Sequence, residues 1–429
     1  MAAIQGIHFM GLLLSLAIIR APAQLRKPDR IALMKWAPKI VLLSVLTSCA
    51  TPVRETATTM NTFGDDVTFL RDHTEVIVLS DPSTGARVAV APAYQGRVMT
   101  SSAKGDDGTS YGWLNRKAIA SGERQPHINV FGGEDRFWLG PEGGQFSIFF
   151  KRGDPFDLDH WQTPEPIDWG AWDVVDQTES HAHFHNEIEL VNYSGTKLAL
   201  EADRVIRLVG ADSNVDVVGF QSENTITNTG EEAWTPESGM LSIWILGMFN
   251  PSPKTTIVIP FRTGTEEELG PIVNDAYFGK VPEERLVIRD GVIFFRGDGK
   301  YRSKIGIPRP RALPVAGSYD ADSGVLTVVE YSLPEEATEY VNSMWEIQEE
   351  PFRGDVVNSY NDGPPEPGAE PLGPFYELET SSPAAALAPG ESITHVHRTF
   401  HFQGAPEDLD AIARDKLGVA LADIVSIFE

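Results

Sequence analysis

HAHFHNEIELVN, residues 181–192, is the stretch whose reading decides the fold class. His181, His183, His185, Glu187 and Glu189 alternate with Ala182, Phe184, Asn186, Ile188 and Leu190, so an extended strand places five polar groups on one face. Short β-branched or alternating runs recur along the chain: EVIVLS (74–79), ARVAVAP (86–92), FSIFFK (146–151), VDVVGFQ (215–221), TTIVIPF (255–261), RLVIRDGVIFFR (285–296) and VLTVVEYS (325–332). Gly, Pro, Asn and Asp separate them, which predicts antiparallel sheets. Two stretches read as helical, PESGMLSIWILGM (236–248) and PEDLDAIARDKLG (406–418). In the second, Leu409, Ile412, Ala413 and Lys416 keep a helical period and Gly418 is a C-cap, so a short helix is expected on the outside of a sheet.

The chain has 429 residues, 41% of them hydrophobic, enough for one large β domain. No internal repeat is visible. The Pro-rich stretch 361–374 reads as a surface loop, because the strand pattern resumes in FYELET, so residues 64–429 are read as a single domain behind a polar tether, 50–63. Upstream, MKWAPKIVLLSVLTSC (34–49) combines Lys35 and Lys39 with an apolar run and small residues before the only cysteine. It resembles a bacterial lipoprotein signal, which implies cleavage before Cys49, lipidation of its thiol and a domain tethered at the cell envelope. Residues 1–49 are thus a signal region, with Met34 the expected true start.

The formal net charge is −26, and removing residues 1–48, with six basic side chains and one acidic one, makes it −31. A surface of that sign repels nucleic acid, so no nucleic-acid partner is expected. With one cysteine, no disulfide forms within the chain.

GGEDRFWLGPEGGQFSIFF (132–150) is rich in glycine, yet it lacks both the GxGxxG strand-to-helix context and the GK[ST] of a phosphate loop. Its glycines and Pro141 read as tight turns gathering Glu134, Arg136, Trp138 and Glu142. On an extended run Glu134, Arg136 and Trp138 share a face. A carboxylate, a guanidinium and an indole suit a neutral sugar, the first two bonding hydroxyls and the third covering the ring. The competing reading makes Trp138 core and pairs Arg136 with Glu134.

Together with VAVAPAYQGRVMTSS (88–102), ENTITNTG (223–230) and FYELETSSPAAALAPGESITHVHRTFHFQG (375–404), that stretch resembles uncharacterised secreted proteins related to the galactose mutarotase-like group. The resemblance implies an all-β fold, a β-supersandwich with a short C-terminal helix and a carbohydrate site on a concave face. It implies a sugar or glycan as partner; no cofactor is expected. The asparagine-arginine-histidine and threonine-histidine-proline motifs of galactose mutarotases have no match here.

Acid-base chemistry on a sugar needs a proton donor and an acceptor. Glu377 and Glu379 share one face of FYELET; His395 and His397 share one face of THVHRTFHF; His183 lies in the alternating stretch. These five are the catalytic candidates. His181, His183 and His185 are also the residues a divalent metal would use, although a wet strand face carrying uncharged histidines is the favoured reading and no metal is expected. Trp161 in DPFDLDHWQTPEP, Asn224 in ENTITNTG, and Trp345 and Arg353 in EYVNSMWEIQEEPFRG complete the candidate ligand-binding set. The basic run FFRGDGKYRSKIGIPRPR (294–311), with Arg302 and Lys304, reads mainly as ion-paired with nearby acids. Three functions remain: a sugar-processing enzyme, a non-catalytic sugar-binding lipoprotein of a glycan-utilisation system, and a polysaccharide lyase or glycosidase.

Overall fold

In the computed structural model, which describes residues 61–429, the alternation of 181–192 becomes a strand with Ala182, Phe184, Ile188 and Leu190 buried and Glu187 and Glu189 exposed. In chain order the strands are β1 (Ile77–Ser80), β2 (Arg87–Ala91), β3 (Arg97–Ser102), β4 (Arg136–Gly140), β5 (Asp173–Gln177), β6 (His181–Val191), β7 (Lys197–Leu208), β8 (Asp216–Asn228) and β9 (Ser242–Phe249). There follow β10 (Thr255–Pro260), β11 (Leu286–Arg289), β12 (Val292–Arg296), β13 (Ser303–Pro308), β14 (Val315–Asp320), β15 (Val325–Tyr331), β16 (Asp355–Asn361), β17 (Tyr376–Ser381) and β18 (Ser392–Gln403).

They make three sheets: β1-β2-β3; a ten-stranded sheet β11-β12-β10-β14-β15-β18-β8-β7-β6-β5; and a five-stranded sheet β13-β16-β17-β9-β4. Every ladder within them is antiparallel, as turn-separated short strands demand. Apolar residues of the two larger sheets meet in the interior. Ile257, Ile293, Phe295 and Val329 pack on Ile305, Val357 and Leu378, while Phe184, Ile206 and Phe220 join the cluster containing Phe137, Ile243 and Ile245.

On the opposite face of the ten-stranded sheet lies the helix Pro406–Leu417. It buries Leu409, Ala413 and Leu417 against Val258, Phe294 and Val328, and Gly418 caps it at φ +69°. A second helix, Leu421–Ser426, follows it, and a helix at Phe63–Arg71 precedes β1 with Thr62 and Asp65 forming a capping box. The fold is therefore mostly β with several short helices, and the all-β expectation is too strict.

Two local expectations are corrected. Residues 242–248 form a strand rather than a helix: Ile243 and Ile245 face the interior, and Trp244, Leu246 and Met248 point the other way. Their β-branched members and the ladders to β4 and β17 decide it. FSIFFK is not a strand. Ser147 N–H bonds Gly144 O and Ile148 N–H bonds Pro141 O, curling the segment into turns that bury Ile148, Phe149 and Phe150 beneath a loop. Cys49 and the signal region lie outside the described residues. Among the described residues no helix is long and apolar enough to cross a membrane.

Candidate functional site

The outward face of the five-stranded sheet is assembled by register. Lys304 pairs across to Tyr360, Tyr360 to Glu377, and Glu377 to Met248, forming one row. In the next, Asn358, Glu379, Leu246 and Arg136 stand side by side; Ser381, Trp244 and Trp138 make a third. Cross-strand partners share a face, so residues far apart in sequence become one platform. Loops at 128–135, 141–163, 341–354 and 362–375 rise around it and line an open cavity of about 210 Å³.

Arg136, Trp138, Glu142, Trp161, Trp345 and Glu377 all line this cavity. Six sequence candidates are thus brought together. The Arg136 guanidinium lies 4.0 Å from the Trp138 ring centroid and its Nη2 is 3.5 Å from Glu377 Oε1. Its Nε and Nη1 are buried and have no hydrogen-bond partner, and the indole N–H of Trp138 is likewise unpaired. Trp161 and Trp345 stack with centroids 6.1 Å apart at 23°, one aromatic wall of the site.

Glu379 stands beside this lining. Its Oε2 accepts from Lys304 Nζ at 2.9 Å and from Trp244 Nε1 at 3.0 Å, leaving Oε1 without a partner. Burial and the neighbouring Glu379 charge push the Glu377 carboxyl up to about 8, against the downward pull of Arg136 and Lys304. Burial also raises Glu142 and lowers Arg136. Burial pulls Lys304 down, but the carboxylates of Glu379, Glu142 and Glu377 more than offset it and its ammonium is held above the ordinary range. At neutral pH the floor therefore presents a neutral carboxyl at Glu377 beside two cations.

The remaining candidates lie elsewhere. Glu134 leaves the face predicted for it, because Gly133 at φ +109° and the donation of both Glu134 N–H and Asp135 N–H to Val98 O break the period of two. Gly132, at φ +90°, sits where a Cβ would run into Trp113 O, so the turn admits only glycine. Glu134 instead accepts from Ser101 Oγ at 2.9 Å and is hydrogen-bonded with His401 Nε2 at 2.8 Å in the interior. Asn224 is buried, its Oδ1 accepting from Arg204 Nη1 at 2.6 Å, and touches no part of the cavity. Arg353 is a surface residue paired with Glu350 at 3.0 Å.

His395 and His397 are fully buried on the interior side of β17: Thr380 Oγ1 lies 2.8 Å from His395 Nε2 and 2.9 Å from His397 Nδ1. Thr380 has the opposite parity to Glu377 and Glu379, so the strand itself separates these imidazoles from those carboxyls. The expected histidine-glutamate pairing is corrected accordingly. Burial lowers the two imidazoles to about 3 and about 4. His183 lines a separate surface depression with His181. There His181 pairs with Asp176 at 2.6 Å, and His183 and His185 share Asp203 at 2.9 and 3.3 Å. Among the described residues no group of three or more His, Cys, Asp or Glu side chains is arranged to hold a metal ion.

Lys304, Trp244 and Tyr360 are members of the platform that the sequence did not single out as site residues. Trp244 was hidden by the helical reading of its segment; the alternation Trp244, Leu246, Met248 is the signal that finds it.

A family model matches residues 61–428, and it describes a family of unknown function (DUF6786). The chain belongs to that family. No curated protein matches this DUF6786 chain. Among solved structures it is similar to a protein from Synechocystis sp. PCC 6803, at 15% identity over 77% of this chain and 96% of that one, with a TM-score of 0.48. It is also similar to a galactose mutarotase-like protein from Lactobacillus casei ATCC 334 (11% identity, 76% and 100% covered, TM-score 0.45). A galactose mutarotase related enzyme from Lactobacillus acidophilus is similar at 9% identity, with 77% and 98% covered and a TM-score of 0.44.

Proposed function

We propose that the cavity on the five-stranded sheet binds a sugar and that Glu377 carries out proton transfer to it. The observation that carries this reading is the set of buried, unpaired donors at one opening: Arg136 Nε and Nη1 and Trp138 Nε1. Buried donors without partners are costly, and ligand oxygens would satisfy them. A sugar ring presents oxygens at its edge and C–H groups on its faces, matching a site of guanidinium, carboxyls and tryptophans.

Both mutarotation and glycoside cleavage need one group to give a proton and another to take one. Glu377, neutral up to about pH 8, is the donor. Glu142, on the loop wall of the same cavity, is the second carboxyl, and Arg136 and Lys304 stabilise negative charge that develops on sugar oxygens. In this proposal the chain is a lipoprotein attached through Cys49, and residues 64–429 place the site at the cell envelope.

Titration calorimetry with common monosaccharides, followed by NMR measurement of anomeric exchange in the sugar that binds, tests the proposal. Glu377→Gln should keep binding and lower turnover by about a hundredfold or more. Turnover in the native chain should fall as pH rises through about 8, where Glu377 loses its proton. Binding with no conversion of any sugar makes the chain a non-catalytic binder; no sugar binding at all overturns the reading.

A further inference from the structure

The floor and the mouth of the cavity differ in chemistry. The floor carries Arg136, Glu377, Trp138 and Trp244, whereas the mouth is apolar: Leu158 is 52% exposed, Phe278 41% and Leu372 49%, and all three line the same opening. Single exposed apolar residues are ordinary. Here three converge from loops more than 90 residues apart in sequence, and Pro365 adds to the patch. Deeper in, Ile128, Val130, Met248 and Phe375 continue the apolar wall.

The charged groups at the mouth do not change its character. Arg302 lies with its guanidinium carbon 4.0 Å from the Phe278 ring centroid, covering that ring with a flat, weakly hydrated cation. Glu370 is exposed to solvent. A glycan running out of the cavity would set hydroxyls against these leucines and leave them unpaired. An apolar substituent removes both ligand and protein surface from water.

We propose that the ligand is a glycoside with an apolar aglycone, the sugar seated on the polar floor and the aglycone lying across Leu158, Phe278 and Leu372. The inference rests on the sugar reading above and narrows it to glycoside cleavage, because a glycoside has no free anomeric hydroxyl to mutarotate. It also assigns those three residues as specificity determinants that touch the aglycone and take no part in proton transfer.

Matched methyl and octyl glycosides of glucose and galactose, titrated below the micellar concentration into the full chain, test it. The octyl compound should bind at least tenfold more tightly than its methyl partner. Leu158→Asp and Leu372→Asp should each erase most of that advantage, lowering octyl glycoside affinity several-fold more than methyl glycoside affinity. Both lie on exposed loop positions, so the fold should survive, and an unchanged thermal transition verifies it. Equal affinity for methyl and octyl glycosides overturns this inference and leaves the sugar reading standing. An octyl ether of ethylene glycol binding as well as octyl glycoside overturns it too, because the sugar then contributes nothing. No binding of any glycoside overturns this inference, and the sugar reading falls with it when the free monosaccharides fail to bind as well.

Discussion

Strands β4 and β18 both carry polar side chains into buried positions, and they treat them in opposite ways. On β18 every imidazole is saturated: His395 by Ser332 and Thr380, His397 by Thr380 and Thr399, His401 by Thr327 and Glu134. On β4, Arg136 and Trp138 keep donors that nothing in the protein accepts, and these face a cavity. Buried polar groups on β18 close their hydrogen bonds inside the protein, whereas those on β4 stay open beside a cavity, and it is the two features together that mark a candidate site. Imidazoles and carboxylates are no guide by themselves; the state of their partners is.

The interior side of that comparison is broken most severely at Arg204. Its guanidinium donates to Asp135 Oδ1 at 2.6 Å, to Asn224 Oδ1 at 2.6 Å and to Gly96 O at 3.1 Å, with no exposure to solvent. Arg204→Met strands the Asp135 carboxylate, and chemical denaturation should show a loss of about 3–5 kcal/mol. Arg136→Met should behave differently. Its guanidinium has one 3.5 Å partner, so the stability change should stay within about 1 kcal/mol while sugar affinity falls roughly tenfold. Because Arg136 holds Glu377 down, its removal should also move the alkaline limit of turnover above pH 8. A large loss of stability in Arg136→Met, or none in Arg204→Met, would dissolve the contrast.

How much of this was legible in the sequence follows from what local spacing can and cannot encode. Alternation and short β-branched runs located β1, β2, β6, β8, β10, β11, β12 and β15, and Gly418 located the end of the C-terminal helix, because both are set by backbone geometry over a few residues. Arg136 and Trp138 were correctly placed on one face for the same reason. Glu134 was not, since the break at Gly133 depends on Val98, more than thirty residues away. Parity in FYELET separated Glu377 and Glu379 from Thr380, but which side meets β18 and which meets a cavity is a property of sheet packing. Lys304 was read as ion-paired, and it is, with Glu379; that the pair adjoins a ligand cavity follows only from the pairing of β13 with β16 and of β16 with β17.

The two regions should also respond to pH with opposite signs. His395 and His397 have folded values near 3 and 4 against about 6.5 unfolded, so the unfolded chain binds more protons and stability is lost as pH falls below about 6.5. Glu377 is raised to about 8 from about 4.5, so its contribution is complete below 4.5 and is lost as pH rises through 8. Each group contributes a slope of at most about 1.4 kcal/mol per pH unit. Denaturation midpoints from pH 4.5 to 9 should therefore fall less steeply on the acid side in His395→Gln, and less steeply on the alkaline side in Glu377→Gln. If one variant flattens both limbs, the groups titrate as a single network and the strand between them does not insulate them.

The smallest effects belong to surface candidates outside both regions. Arg353 is 75% exposed in its side chain and pairs only with Glu350, while His183 shares Asp203 with His185 on an open strand face. Exposed pairs of this kind exchange one hydrated partner for another, and solvent and salt screen what attraction remains. Arg353→Ala and His183→Ala should each shift stability by less than about 0.5 kcal/mol and leave sugar affinity and turnover unchanged. A tenfold loss of turnover in His183→Ala would move the chemistry from the five-stranded sheet to the edge of the ten-stranded one. Partner saturation would then fail as a guide to the site, because His183 has its hydrogen bond already.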